Sequence, residues 1–127
     1  MTPLIIQQSQ STPRIYFDPD KNKFEISGNS LPENIMDFYE PVYKWIEDYI
    51  KQPKSKTEIT IKLLYCNSSS AKVILDFLTL FEQVASNGYT VEVLWYYLEM
   101  DEDMLATGKE YESMLSIPFN FYSYVQD

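Results

Sequence analysis

The chain has no histidine, and Cys66 is its single cysteine in 127 residues. Without histidine, the commonest general base, Ser-His-Asp triads, Cys-His pairs and most zinc sites are excluded together. A lone cysteine forbids an internal disulfide and fits a reducing compartment, so a cytoplasmic protein is expected. Glycine occurs only three times, always isolated, which leaves no glycine-rich phosphate loop. Cations are also scarce: 10 Lys and Arg face 19 Asp and Glu, for a formal charge of −9. No cationic footprint is available for nucleic acid, and an anionic membrane surface is disfavoured for the same reason. No apolar run approaches a membrane span. Leu4-Ile5-Ile6 is too short for a signal-peptide core and has no basic leader.

Aromatics, by contrast, are plentiful: they make up 16% of the chain and include eleven tyrosines. A chain of this length supports one hydrophobic core, and so many half-polar rings imply a filled core with aromatic edges reaching the surface. Residues 1–13 mix Gln, Ser, Thr and Pro and read as a loose N-terminal arm, with a single domain over 14–127. Arg14–Phe17 and Lys23–Ser27 form two short strand-like runs around the turn formers Asp18 to Asn22, a hairpin pattern ended by Gly28-Asn29-Ser30. From Glu33 to Lys51 apolar residues recur at helical spacing, with Pro41 inside the pattern and a kink expected near Asp37.

Glu58 to Tyr65 alternates and then becomes solidly apolar, as in a central strand covered on both faces at its far end. Ser69 to Asn87 is the clearest helix, stopped by Asn87-Gly88. Its apolar face carries Ile74, Phe77, Leu78, Phe81 and Val84, while Val73, Leu75 and Leu80 fall on the borders. Tyr89 to Tyr96 is a further strand, and a strand–helix–strand order implies parallel pairing. A weaker helix interrupted by Gly108 and a last strand over Phe119–Val125 complete the chain. The order β-β-α-β-α-β-α-β describes an α/β domain with a mixed sheet and helices packed against it.

Function in such folds concentrates where strand carboxyl ends meet helix amino ends, which here means Asn67, Ser68, Ser69 and Ser70. Two readings of this joint stand side by side. Serine and asparagine are favoured helix caps, but one cap suffices and four such residues are present. A phosphate here would gain from the helix dipole, and it would bring about −1.5 to −2 of charge against an approaching partner. Elsewhere the bland readings prevail. Cys66 reads as a buried inert thiol, and Glu99 to Asp103 as a solvated turn feeding a helix, since it lacks the spacing of a calcium loop. Neither a metal, a cofactor nor a catalytic residue is expected. Trp95-Tyr96-Tyr97 is either strand-end packing or a surface anchor.

The strand, polar joint and amphipathic helix resemble the phosphorylation site of STAS-type anti-sigma-factor antagonists, with Asn67-Ser68-Ser69-Ser70 in place of their Asp-Ser-Ser-Gly. Gln10 to Pro13 (QSTP), Leu31 to Asn34 (LPEN), Leu63 to Lys72 (LLYCNSSSAK) and Val93 to Tyr97 (VLWYY) resemble the SiaC family, STAS-like proteins of bacterial biofilm regulation. This resemblance implies a single STAS-like domain and a non-enzymatic phospho-switch. It implies a phosphoacceptor at the residue after the asparagine, threonine in the family and Ser68 here, with Ser69 and Ser70 left to cap the helix. The implied partners are a Ser/Thr kinase with a histidine-kinase-like ATPase domain, a PP2C-type phosphatase, and a diguanylate cyclase or other output protein bound by the unphosphorylated form. Tyr65, Val73 and Leu80, with Trp95 and Tyr96, are the candidate docking residues. A small-molecule binding module with an aromatic-lined pocket is the alternative of a different class.

Overall fold

The computed structural model describes residues 1–126. Six strands form one sheet: β1 (Leu4–Ile6), β2 (Arg14–Asp18), β3 (Lys23–Ser30), β4 (Lys56–Cys66), β5 (Thr90–Leu98) and β6 (Phe119–Tyr124), adjacent in that order. The first three pair antiparallel, and β3 through β6 run parallel. Helices α1 (Ile35–Tyr49), α2 (Ser68–Ser86) and α3 (Glu102–Met114) connect the parallel strands. The mixed α/β sheet and the expected helices are therefore present, with one strand more than expected.

That additional strand comes from the segment read as a loose arm. Leu4 and Ile6 sit opposite Phe17 and Ile15, and the Trp45 indole N–H donates to the Thr2 carbonyl at 2.8 Å. Three residues of strand carry too little pattern to stand out beside polar neighbours. The pairing is provided by the β2 edge, and no signal local to residues 4–6 announces it.

Between β2 and β3 the turn formers act as expected. Asp18 accepts from the Asp20 N–H, and Asn22 takes the left-handed conformation at φ 51°. Gly28 does not end the hairpin, however. At φ 103° it lets β3 continue to Ser30, and the β3–β4 register skips Leu64 at this point. Such an irregularity re-aims the residues beyond it. Here it leaves Ser30 fully buried and Tyr65 exposed.

All three helices lie on one face of the sheet. Phe24, Ile26, Ile59, Ile61, Val93 and Trp95 point into that layer and are almost completely buried. The alternating residues Glu58, Thr60, Lys62, Leu64, Leu94 and Tyr96 are only half-buried on the other face. The far end of β4 is thus covered on one side only, contrary to the expectation from its apolar run. Helix α1 runs through Pro41 without a break and buries Tyr39, Val42, Trp45, Ile46 and Tyr49. Each large apolar side chain so buried stabilises the fold by about 1.5–3 kcal/mol relative to exposure.

Helix α2 is the middle of the three. On one flank, Tyr39 and Tyr43 of α1 pack edge-on against Phe77, and the Tyr43 hydroxyl donates to Asp76 at 3.0 Å. On the other, the Tyr111 hydroxyl of α3 donates to the Ala71 carbonyl, and the Ser116 N–H donates to Glu82 at 2.6 Å. A helix held on both flanks buries a wider arc than one lying alone on a sheet.

Candidate functional site

The joint between β4 and α2 sits at the carboxyl edge of the parallel strands, beside the end of β3. The Asn67 N–H donates to the Ser30 carbonyl at 3.0 Å, which ties the joint to that neighbouring strand. Asn67 is also the helix cap. Its side-chain oxygen accepts from the Ser70 N–H at 2.8 Å, and its backbone carbonyl accepts from the Ala71 N–H at 2.9 Å. Ser69 and Ser70 are therefore not the caps, as was expected of them. Asparagine can reach the third N–H of the helix from the residue before it, whereas Ser69 and Ser70 already have helical backbone and lie past the capping position. Asn67→Ala is expected to cost about 1 kcal/mol of stability, read as a lower melting temperature by circular dichroism.

The three serines have separate environments. Ser70 is completely buried: it accepts from Ser30 Oγ at 2.7 Å, and Ser30 in turn shares a 2.6 Å hydrogen bond with the Tyr39 hydroxyl. This chain of three hydroxyls joins α2 to β3 and α1 inside the core, where an unpaired hydroxyl would be costly. Burial pushes the Tyr39 hydroxyl up to about 12, so it stays a neutral partner. Ser68 and Ser69, in contrast, are exposed on the first turn. Ser68 is the first helical residue, and its hydroxyl makes no hydrogen bond among the described residues.

The candidate docking residues divide in two. Tyr65 is 53% exposed, close to Ser68 at the end of β4. Leu80 is half-buried, about 18 Å further along α2 at the rise of an α-helix. Val73 and Trp95 belong to the core, being 6% and 1% exposed, and cannot form a contact surface. Val73 is buried because it lies one turn from Ser70 on the flank that faces α1. Trp95 points inward under α3, where its indole N–H donates to the Met104 carbonyl at 3.0 Å. Tyr96 is half-buried on the opposite face of the sheet from α2, packed against Tyr122 and Tyr124. Two exposed apolar residues not singled out from the sequence flank the joint instead. Leu31 follows the end of β3 at 40% exposure, and Met100 follows the end of β5 at 89%. Each is the apolar residue just past a parallel strand on the same edge, a pattern visible only once strand direction is known.

A cleft of about 240 Å³ opens behind the joint, between α2 and α3. Cys66, Ile74, Trp95, Met104 and Tyr111 line it, with Asp101 and Asp103 also contributing. Burial pushes the Cys66 thiol up to about 12, which keeps it protonated and unreactive. The cleft is smaller than ordinary small-molecule sites of about 300–1,000 Å³. The polar atoms of its two large rings are already engaged, Trp95 with Met104 and Tyr111 with Ala71. No group of three or more acidic or cysteine side chains able to hold a metal occurs among the described residues. No helix among them is long and apolar enough to cross a membrane.

A model of the SiaC family of regulatory phosphoproteins matches residues 6–124, nearly the whole chain. The protein belongs to the SiaC family. An uncharacterized Pseudomonas aeruginosa protein is 32% identical over 119 residues, spanning 94% of each chain. Among solved structures, SiaC of Pseudomonas aeruginosa superposes with a TM-score of 0.88 at 30% identity, covering 98% of this chain and 100% of that one. The chain is equally similar to a crystal structure of the diguanylate cyclase SiaD in complex with its activator SiaC. There the TM-score is 0.89 at 30% identity, with 95% of this chain and 99% of the matched chain covered. The mixed sheet with three helices is thus the architecture of SiaC proteins, and this SiaC-family chain keeps its polar strand–helix joint at the carboxyl edge of the sheet.

Proposed function

We propose that this protein is a non-enzymatic switch of a cytoplasmic partner-switching pathway, reversibly phosphorylated on Ser68. A Ser/Thr kinase with a histidine-kinase-like ATPase domain adds the phosphate and a PP2C-type phosphatase removes it. The unphosphorylated form binds and activates an output protein, a diguanylate cyclase, as the SiaC of the solved complex does for SiaD. The observation that carries this reading is the separation of the serines: Ser68 is exposed at the first helical position, and Ser70 is sealed in the core.

The geometry suits a charge switch. A phosphate at the first turn of α2 faces the positive end of the helix dipole, so modification stabilises the helix where it stands. The change is then electrostatic, felt by whatever covers Ser68. Tyr65, Leu31 and Met100 provide an apolar rim on which a partner would bury that hydroxyl.

The test mixes the purified protein with a kinase of this class and ATP, then maps the product by mass spectrometry. A single phosphate on Ser68, removed by a PP2C-type phosphatase, is expected. Phosphate on Ser69 instead, or none on residues 67–70, overturns the assignment.

A further inference from the structure

The two edges of the sheet are unlike. At one edge β1 is only three residues long, so little backbone is offered to a newcomer. At the other, β6 has six residues, no internal proline and an uninterrupted register with β5. It also lies in a stretch with no charged side chain, from Ser113 to Gln126, in a chain whose net charge is −9. Natural sheets blunt exposed edges with lysine, proline or bulges; β6 itself contains none of these, with Pro118 standing just before it and Lys109 of α3 lying over the inner face of Phe121.

The pairing with β5 fixes which backbone groups are free. Pro118 and Tyr124 carbonyls accept from Val93 and Glu99 N–H groups, so even-numbered residues of β6 bond to β5. By alternation Phe119, Phe121 and Ser123 turn their N–H and C=O groups outward. Phe121 is the centre of that set, with Phe119 and Ser123 equally spaced about it. An antiparallel copy of the same strand centred on Phe121 therefore matches every outward donor to an outward acceptor. Phe119 would face Ser123 of a second copy, Phe121 would face its own equivalent, and Tyr122, 44% exposed, would lie opposite Asn120 on the open face.

The geometry points to β6 as a self-association edge, with a second copy of this chain as its occupant. Two molecules of like negative charge repel over most of their surfaces, and this aromatic edge, which carries no acidic side chain of its own, is where they can approach. A two-fold axis through Phe121 closes the assembly at a dimer and leaves no β6 edge for growth. Antiparallel pairing points the carboxyl ends of the parallel strands in opposite directions. The two Ser68 sites then stand at opposite ends of the dimer, and association is independent of their phosphorylation.

Sedimentation equilibrium of the full chain tests this. The expected species at micromolar concentrations has twice the 15.0 kDa chain mass. Ser123→Pro removes an outward N–H without touching a bond to β5, and Tyr122→Lys sets a cation on each side of the axis. Each is expected to weaken the dimer at least tenfold, roughly, with an unchanged far-UV circular dichroism spectrum. Ile5→Lys on the opposite edge and Ser68→Asp should dimerise as the wild type does. A wild-type monomer up to about 500 µM, well into the range of weak association, overturns the proposal. So do dimers that survive both β6 substitutions, or that are lost in Ile5→Lys or Ser68→Asp.

Discussion

Ser68→Asp is expected to weaken binding of the output cyclase by about two orders of magnitude or more, and to abolish its activation. Ser68→Ala should bind as the wild type does and resist being switched off by the kinase. Position sets this outcome. Ser68 is exposed, it is the first residue of α2, and Asn67 rather than Ser68 satisfies the cap. Neither substitution therefore removes a hydrogen bond that holds the fold together. An acidic side chain at the first helical position is itself favourable, by about 0.3–1 kcal/mol. Ser68→Asp should melt at or slightly above the wild-type temperature.

Covered by a partner, the same carboxylate loses its water. An uncompensated buried charge costs about 3–5 kcal/mol, which is about two to three and a half orders of magnitude in affinity. Stability held or raised while binding collapses is the signature of a charge switch, and misfolding would lower both. Titration calorimetry with the cyclase, alongside a cyclic-di-GMP synthesis assay, reads the two variants. Equal binding by Ser68→Asp and Ser68→Ala would refute the switch.

The joint that carries this prediction was legible because it rests on local chemistry: an apolar strand, a polar break and an amphipathic helix, all set by periodicity. What escaped was set by neighbours distant in sequence. Val73 lies on the border of the apolar face of α2, and only the packing of α1 against that flank decides that it is buried. Trp95 sits in a run of three aromatics, and strand alternation sends it inward while Tyr96 goes to the open face. The extension of β3 depends on a backbone conformation at Gly28 that the hairpin pattern does not encode. The end of β4 is apolar without being covered on both sides, because three helices over six strands leave one face of the sheet bare. Ser70 is the subtlest case. Its burial depends on Ser30 and Tyr39, which lie 40 and 31 positions earlier, and nothing in a serine triplet says which hydroxyl the core will take.

Gly108→Ala is the second large effect, and here the expected sign contradicts helix propensity. Gly108 lies within α3, where alanine is ordinarily about 1 kcal/mol better than glycine. From the sequence it looks like an interruption. In the fold it is a point of contact: a Cβ there would stand 2.6 Å from Trp95 Nε1, 2.7 Å from Trp95 Cε2 and 2.8 Å from Phe121 Cε1. All three atoms belong to rigid rings. Trp95 cannot swing aside, being 1% exposed and bonded through its indole N–H to Met104 of the same helix. Lys109 lies over Phe121, with its ammonium 4.0 Å from the ring centre. Helix α3 must therefore lift from the sheet, losing contacts along its length. A net loss of about 2 kcal/mol, or a melting temperature lower by about 6–10 °C, is expected by circular dichroism. Ala106→Gly, on the exposed side of the same helix, should cost only the ordinary propensity difference of about 1 kcal/mol. Propensity alone requires these opposite exchanges to have opposite signs, whereas packing requires both to destabilise. A stabilised Gly108→Ala would mean that α3 does not rest on Trp95. The consequence would reach the site, because Tyr111 on that helix anchors the first turn of α2 through the Ala71 carbonyl.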